Sequence, residues 1–175
     1  MSGPLVREMT RADCERVALI RVRGWRTAYR GLVPQVYLDG MDPAGDAERR
    51  RVLFDSAPAG VENLVAEDER GEVVGWACHG PYREGERATG DAELYAIYVD
   101  PERLGAGVGQ ALIRESARRC AAAGHPRMLL WVLRDNARAR RFYERAGFRF
   151  DGTEEPFLVE GVEVPEVRYA AELAG

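Results

Sequence analysis

The segment Val99-Asp100-Pro101-Glu102-Arg103-Leu104-Gly105-Ala106-Gly107-Val108-Gly109 constrains this chain more than any other. An extended apolar run at 92–99 precedes it, and apolar residues at Leu112, Ile113, Ala117 and Cys120 recur after it with helical spacing. A strand must therefore feed a helix through a turn carrying three glycines. Backbone amides converge at such a helix start, glycines let a ligand approach them closely, and the helix dipole favours negative charge. The segment thus reads as an anion cradle, to which Arg103 adds a charge-assisted contact. The same glycines also serve tight turns and close helix packing. A Walker phosphate loop would need Gly-Lys-Ser/Thr, which is absent, and a dinucleotide fingerprint would need a glycine at 110, where Gln110 stands.

Around this turn, periodicity and punctuation mark out strands and helices. Residues 5–9 read as an opening strand, and Thr10 with Asp13 reads as a helix N-cap before Val17, Ala18, Ile20 and Val22. That helix ends near 25–29, 31–34 breaks the pattern, and a second helix is expected over about 44–54, then a loop at 56–60. Residues 64–67, a turn at 69–71 and 73–78 read as a hairpin. The helix from Val108 is stopped by Gly124 and Pro126, and 128–133 is a short continuously apolar strand. Asp135 or Asn136 caps a helix carrying Ala139, Phe142, Tyr143 and Ala146 that stops at Gly147. Strands at 148–150 and 162–170, with a turn at Glu160-Gly161, complete the pass.

Composition excludes several classes of function. With 175 residues, 46% of them hydrophobic, the chain is the size of one domain that buries its own core, and no repeat, low-complexity tract or linker divides it, so 1–175 is expected to be a single domain. No run approaches the ~20 apolar residues of a membrane span. The start Met1-Ser2-Gly3-Pro4 lacks the charged and apolar regions of a signal peptide, so a soluble cytoplasmic protein with no membrane partner is expected. Cys14, Cys78 and Cys120 are odd in number and widely spaced, which suggests reduced core thiols. With His79 and His125 as its only histidines, and adjacent Cys78 and His79 on opposite strand faces, the chain offers no metal site. A net charge of -4 gives no general attraction to nucleic acid. The chain has no lysine, so it cannot acylate lysines of its own.

Two ordered blocks carry a family resemblance. Val99-Asp100-Pro101 with Gly107 and Gly109 is similar to the coenzyme-A motif Gln/Arg-x-x-Gly-x-Gly/Ala of the GNAT N-acetyltransferase superfamily, with Leu104 at the usual Gln/Arg position. Asn136-Ala137-Arg138-Ala139-Arg140-Arg141-Phe142-Tyr143-Glu144-Arg145-Ala146-Gly147-Phe148 is similar to the family's Asn-x-x-Ala-x-x-(Phe/Leu)-Tyr-Glu-x-x-Gly-Phe. The element order matches over about 5–170, the specific motifs over 93–148, and 25–32 looks like one bacterial subgroup. The resemblance implies an α/β GNAT fold: a mixed, mainly antiparallel central sheet, splayed near 97–99 and flanked by helices. It also implies acetyl-CoA as cofactor. Ile97, Tyr98 and Val99 would offer backbone groups to the pantetheine arm and the thioester. Leu104, Gly105, Ala106, Gly107, Val108, Gly109 and Gln110 would surround the pyrophosphate, and Asn136 would contact the pantetheine region. Arg138, Arg140 and Arg141 either assist the phosphates or are solvated helix charges.

The resemblance makes Tyr143 the general acid that faces the departing thiolate. Against a thiol near 8.5 and a tyrosine near 10, complete proton transfer is uphill by roughly 2 kcal/mol, so hydrogen bonding to the thiolate matters as much. Direct transfer in a ternary complex also needs an unprotonated amine, and Glu93 is the candidate base, directly or through water. Two-residue alternation would put Glu93, Tyr95, Ile97 and Val99 on one strand face and Leu94, Ala96 and Tyr98 on the other. His79, just past a predicted strand, is a second candidate base. Trp25, Tyr29, Tyr82 and Tyr95 are candidate walls of an acceptor pocket. The acceptor stays open between a small-molecule amine, a peptide N-terminus and a protein lysine, with an acidic pocket favouring cationic amines. A homodimer is compatible with the C-terminal strands. An acyl-CoA-binding sensor without turnover is the alternative that Leu104 leaves open.

Overall fold

Thr10 ends the opening strand and starts the first helix. Its backbone N–H donates to Asp13 Oδ2 at 2.7 Å, and Arg7 Nη1 reaches the same oxygen at 2.8 Å, so strand end and helix start share one acid. The computed structural model describes residues 2–174. Their order is β1 (Leu5–Glu8), α1 (Cys14–Ala28), α2 (Gln35–Gly40), α3 (Pro43–Asp55), β2 (Glu62–Glu67), β3 (Val73–Glu84), β4 (Arg87–Val99), α4 (Val108–Ala122), β5 (Arg127–Leu133), α5 (Ala137–Arg145), β6 (Arg149–Val159) and β7 (Val162–Glu172).

The strands form one sheet ordered β1-β2-β3-β4-β5-β7-β6. Every neighbouring pair is antiparallel except β4 with β5, which are parallel because α4 carries the chain across between them. This is the mixed, mainly antiparallel sheet flanked by helices that the motifs imply. One face packs against α4 and α5 around Leu64, Val74, Leu112, Met128, Leu130 and Tyr169. The other is covered at its β2–β3 end by Val17 and Ile20 of α1, and at its β5–β7 end by Trp25 and Leu38 against Leu133 and Val164.

Three expectations are corrected. A short helix, α2, occupies residues for which the sequence indicates no element, between the break at 31–34 and the helix expected from 44; at six residues it has no periodicity to show, and the fully buried Leu38 anchors it. β3 and β4 run beyond the expected 73–78 and 92–99 and form a second hairpin whose arms carry Arg83, Glu84 and Arg87 rather than an apolar pattern. His79 lies inside β3, 3% exposed, rather than after it.

The fourth correction concerns β4 itself. Cys78 pairs with Ala96 and His79 with Leu94, so Tyr95 is an extra residue, a bulge that resets the alternation. Ala92, Leu94, Ile97 and Val99 all pack toward α4, while Ala96 and Tyr98 pack toward α1 and α3. Glu93, which alternates with Ala92 and Leu94, therefore does not share a face with Ile97 and Val99. Tyr95 folds over Gly80, where an added Cβ would lie 2.8 Å from the ring, and its hydroxyl donates to the Pro81 carbonyl.

The turn after β4 is fixed by a buried acid. Asp100 is 3% exposed, accepts from Arg16 Nη2 of α1 at 2.8 Å, and caps the following turn by accepting from the Glu102 amide at 3.1 Å. Beneath the start of α4, Gly75 of β3 leaves room for Val108 and Leu112: a Cβ there would come within 2.7 and 2.9 Å of their methyl carbons. Gly75→Ala is expected to cost about 1–3 kcal/mol by overpacking. Gly40→Ala, with nothing within 4 Å of the new methyl, is expected to stay within about 0.5 kcal/mol of the parent. Urea denaturation of both variants checks the contrast.

Candidate active site

Parallel pairing between β4 and β5 stops after two residue pairs, Ala92 with Met128 and Glu93 with Leu129. From 94 to 99 the edge of β4 facing β5 has no strand partner. A cavity of about 670 Å³ fills the splay and reaches both layers: Asn136, Ala139 and Tyr143 of the α5 layer, Trp25 of α1 and Tyr29 just after it line it together with Tyr98, Trp131 and Leu133.

At the α4 end, Gly105 and Gly107 have φ of 82° and 83°, a left-handed backbone that favours glycine, and nothing lies within 4 Å of where a Cβ would stand. The first helical bond of α4 runs from the Ala111 amide to the Gly107 carbonyl at 3.1 Å, so the amides of Val108, Gly109 and Gln110 precede the ladder and point outward. This suits an anionic diphosphate. Ala106 differs, because its amide already donates to the Arg103 carbonyl at 3.4 Å. Gly109 is glycine for packing: a Cβ there would meet Phe142 at 3.0 Å. Arg103 does not serve the turn, since Asp68 holds it at 3.0 Å, and the side chain of Leu104 is exposed. Arg140 is likewise occupied, donating to the Tyr169 hydroxyl and the Arg134 carbonyl at 2.8 Å each, whereas Arg138 and Arg141 are exposed. Asn136 caps α5 by accepting from the Ala139 amide at 3.2 Å, which leaves its side-chain NH2 for the cavity it lines.

Three tyrosine hydroxyls meet in the splay. Burial raises the pKa of Tyr143, and Tyr98 adds to the shift. Burial, then Tyr98 and Tyr143, raise that of Tyr29 well above its ordinary value. Tyr143 and Tyr29 are therefore neutral donors near pH 7. Cys78 also lines the cavity, with its thiol pushed up to about 12 by burial, so it is no thiolate nucleophile.

Glu93 lies on the cavity's face of the sheet, half-buried, although the cavity wall itself is formed by Glu166. Burial, then repulsion from Glu166 and Glu155, pushes Glu93 up to about 7; burial and Glu155 push Glu166 to about 7 as well. Glu155 and Glu166 face each other across β6 and β7. Neither acid stands out as a local motif; the tight turn at Glu160-Gly161 sets the register that places them opposite each other. His79 is overturned as a base. It faces α4, beside Glu62 and Arg119, and burial lowers its pKa. Of the candidate aromatic walls, Trp25, Tyr29 and Tyr95 line the cavity, whereas Tyr82 is buried elsewhere with its hydroxyl accepting from Arg168 at 3.0 Å.

The model of the Acetyltransferase (GNAT) family matches residues 22–148. The chain is 34% identical over 164 residues to the uncharacterized N-acetyltransferase YuaI of Bacillus subtilis (strain 168), across 93% of this chain and 89% of that one. It is 33% identical over 108 residues to an L-methionine sulfoximine/L-methionine sulfone acetyltransferase of Pseudomonas paraeruginosa (strain DSM 24068 / PA7), across 61% of this chain and 62% of that one. A GNAT superfamily phosphinothricin acetyltransferase from Sinorhizobium meliloti, solved in complex with AcCoA, superposes with a TM-score of 0.74 at 24% identity over 98% of this chain and 89% of that one. The PaiA N-acetyltransferase from Thermoplasma acidophilum, solved in complex with coenzyme A, gives 0.75 at 19% over 98% and 99%. At these identities the two structures establish the fold. No helix among the described residues is long and apolar enough to cross a membrane.

The raised acids carry a stability signature. Glu93 and Glu166 hold protons more tightly when folded than at their ordinary 4.5, so their contribution is complete below about pH 4.5 and is lost as pH rises through about 7. Glu166→Gln, permanently neutral, is expected to raise the melting temperature at pH 8 and to change it little at pH 5. Thermal denaturation at the two pH values checks this; equal shifts at both would remove repulsion as the cause.

Proposed function

The chain belongs to the Acetyltransferase (GNAT) family, and from that premise we propose that it moves the acetyl group of acetyl-CoA directly to a primary amine in a ternary complex. It is an acyltransferase, and acetyl-CoA is its cosubstrate. The observation that carries the proposal is the cavity at the point where β4 leaves β5, which is lined by Asn136 and Tyr143 together with Tyr29, Tyr98 and Glu166.

In this reading the outward amides of Val108, Gly109 and Gln110, with the open left-handed turn at 104–107, hold the pyrophosphate. The unpaired edge of β4 at Ile97, Tyr98 and Val99 and the side-chain amide of Asn136 hold the pantetheine arm. Acetyl-CoA supplies the activated thioester. A backbone amide near Val99 stabilises negative charge on its carbonyl oxygen, which is worth most in a site shielded from water. Glu93, half ionised at about pH 7, takes the proton of the acceptor ammonium, directly or through water. Tyr143 donates a hydrogen bond to the leaving sulfur; its raised pKa makes full proton transfer costlier and leaves it a neutral donor. A small-molecule amine fits a cavity of about 670 Å³, and the Pseudomonas relative is named for small acceptors. All the groups invoked come from one chain, read as one domain, and a donor held inside the cell makes the cytoplasm its compartment.

Calorimetry is expected to show acetyl-CoA binding to the parent and its loss in folded Gly107→Glu, which sets a side chain and a negative charge into the cradle. No binding by the parent would sink the assignment, and binding without turnover over a broad amine panel would favour a sensor. Tyr143→Phe is expected to lower kcat by about 10²-fold. The kcat/KM of the parent is expected to rise with pH through about 7, and Glu93→Gln to flatten that limb as measured by thiol release.

A further inference from the structure

Away from the acids, the cavity wall carries a surplus of positive charge. Arg21 of α1 and Arg50 of α3 both line the cavity, and each side chain is 15% exposed. They share one buried carboxylate, Asp46. Arg21 Nη1 reaches Asp46 Oδ1 at 3.0 Å, but Arg50 Nε stands 3.9 Å from Oδ2, too far for a hydrogen bond. Two guanidiniums against one carboxylate leave a net charge of about +1 in a largely dehydrated wall, an arrangement that costs free energy unless a further anion completes it.

Two buried donors of residues on this cavity wall make no hydrogen bond, and Asp46 Oδ2, 3.9 Å from one of them, accepts none. Arg50 Nε and Trp25 Nε1 are buried with no hydrogen-bond partner among the described residues. Trp25 is 7% exposed and lines the same cavity, with the Arg21 guanidinium 5.1 Å from its ring centre. The guanidinium of Arg50 stacks over Trp76 at 5.5 Å, which holds it in place. Buried donors of this kind are rare in folded chains and mark a ligand position when they border a cavity.

We propose that Arg21, Arg50 and Trp25 form an anion subsite that binds a carboxylate or similar oxyanion on the acceptor, so that the acceptor is a zwitterionic amine such as an α-amino acid. This rests on the acetyltransferase reading and names its substrate class. The charges order the acceptor along the cavity: its ammonium goes toward Glu166 and Glu93, its anion toward the arginines. One cavity of about 670 Å³ is lined by Arg21, Arg50 and Glu166 alike, a size that suits a small molecule. A polyamine would bring positive charge to Arg21 and Arg50, and a protein lysine side chain has no anion to offer them.

The test pairs each of a panel of L-α-amino acids with its carboxamide, which keeps the amine and removes the negative charge, and adds spermidine. Acetyl transfer by the whole chain is followed by thiol release. For the acids that turn over, kcat/KM is expected to exceed that of the carboxamide by about 10- to 100-fold, the size of a charge-assisted hydrogen bond. Arg50→Gln is expected to erase that preference through KM with kcat within a few-fold, and Trp25→Phe, which keeps the ring and removes only the N–H, to weaken it. Carboxamides or spermidine used as well as the acids, or a preference that survives both substitutions, would overturn the subsite. A second measurement stands apart from turnover. Millimolar sulfate is expected to raise the melting temperature of Gly107→Glu, whose cradle is blocked, more than that of Gly107→Glu with Arg50→Gln. An equal rise in both is general salting and overturns the subsite whether or not acetyl-CoA binds, whereas an Arg50-dependent rise in a chain whose parent binds no acetyl-CoA keeps the subsite and removes the acetyltransferase reading.

Discussion

One extra residue in β4 governs the rest of the architecture. Two parallel strands side by side would normally stay paired along their length, but Tyr95 bulges out of the ladder with β3 just beyond the last β4–β5 pair, at Glu93 and Leu129. A bulge bends and twists its strand, and here the bend coincides with the point where β4 leaves β5. Past it, backbone groups that a complete sheet would consume are left for a ligand, and a cavity opens through the layer instead of a continuous core. Gly80 is part of the same device, because only a residue without a Cβ leaves space for the Tyr95 ring.

The chain beyond the bulge is held rigidly. Asp100 ties the end of β4 to Arg16 of α1, Gly75 lets Val108 and Leu112 seat α4 close against β3, and Gly109 lets Phe142 seat α5 against α4. The three glycines of the turn therefore divide their work: Gly105 and Gly107 shape the loop, whereas Gly109 fixes the distance between two helices. Sites held by regular elements keep their geometry better than sites on free loops, and this glycine turn sits where a strand, two helices and the Arg16–Asp100 ion pair meet.

The fold was legible in sequence where periodicity or punctuation is strong. The Thr10 and Asp13 start, the helix from Val108, the Asn136 cap and the apolar strand before it all fall where the residues indicate. The outer arms of β3, β4 and β6 were not legible, since their exposed charged residues carry no alternation, and α2 is too short to show a period. For the site, Tyr143, Asn136 and the glycine turn announce themselves as local motifs. Glu155, Glu166, Arg21 and Arg50 do not, because each gains its meaning from a partner on another element, and the face of Glu93 was misread because a bulge leaves no mark in an alternating strand. Arg103 shows the reverse error: the acid that claims it, Asp68, lies in a distant turn that local sequence does not bring near.

Burial raises the pKa of Tyr143, Glu93 and Glu166 alike, with opposite consequences for the roles proposed for them. It keeps Tyr143 neutral, which a hydrogen-bond donor requires, and it also keeps Glu93 and Glu166 partly neutral, which a base does not want. The conflict resolves if the acceptor arrives as an ammonium ion. Positive charge beside the acids favours their ionised forms and lowers their pKa values again, so in the proposed reaction the substrate would generate the base that deprotonates it. An empty pocket lowers its own charge repulsion by keeping protons, and a filled one exchanges those protons for the ligand's charge. At Arg21 and Arg50, which share the single carboxylate of Asp46, the proposed anion would relieve the surplus of positive charge. A cavity with adjustable acids at one end and unyielding cations at the other admits best a molecule that carries both charges.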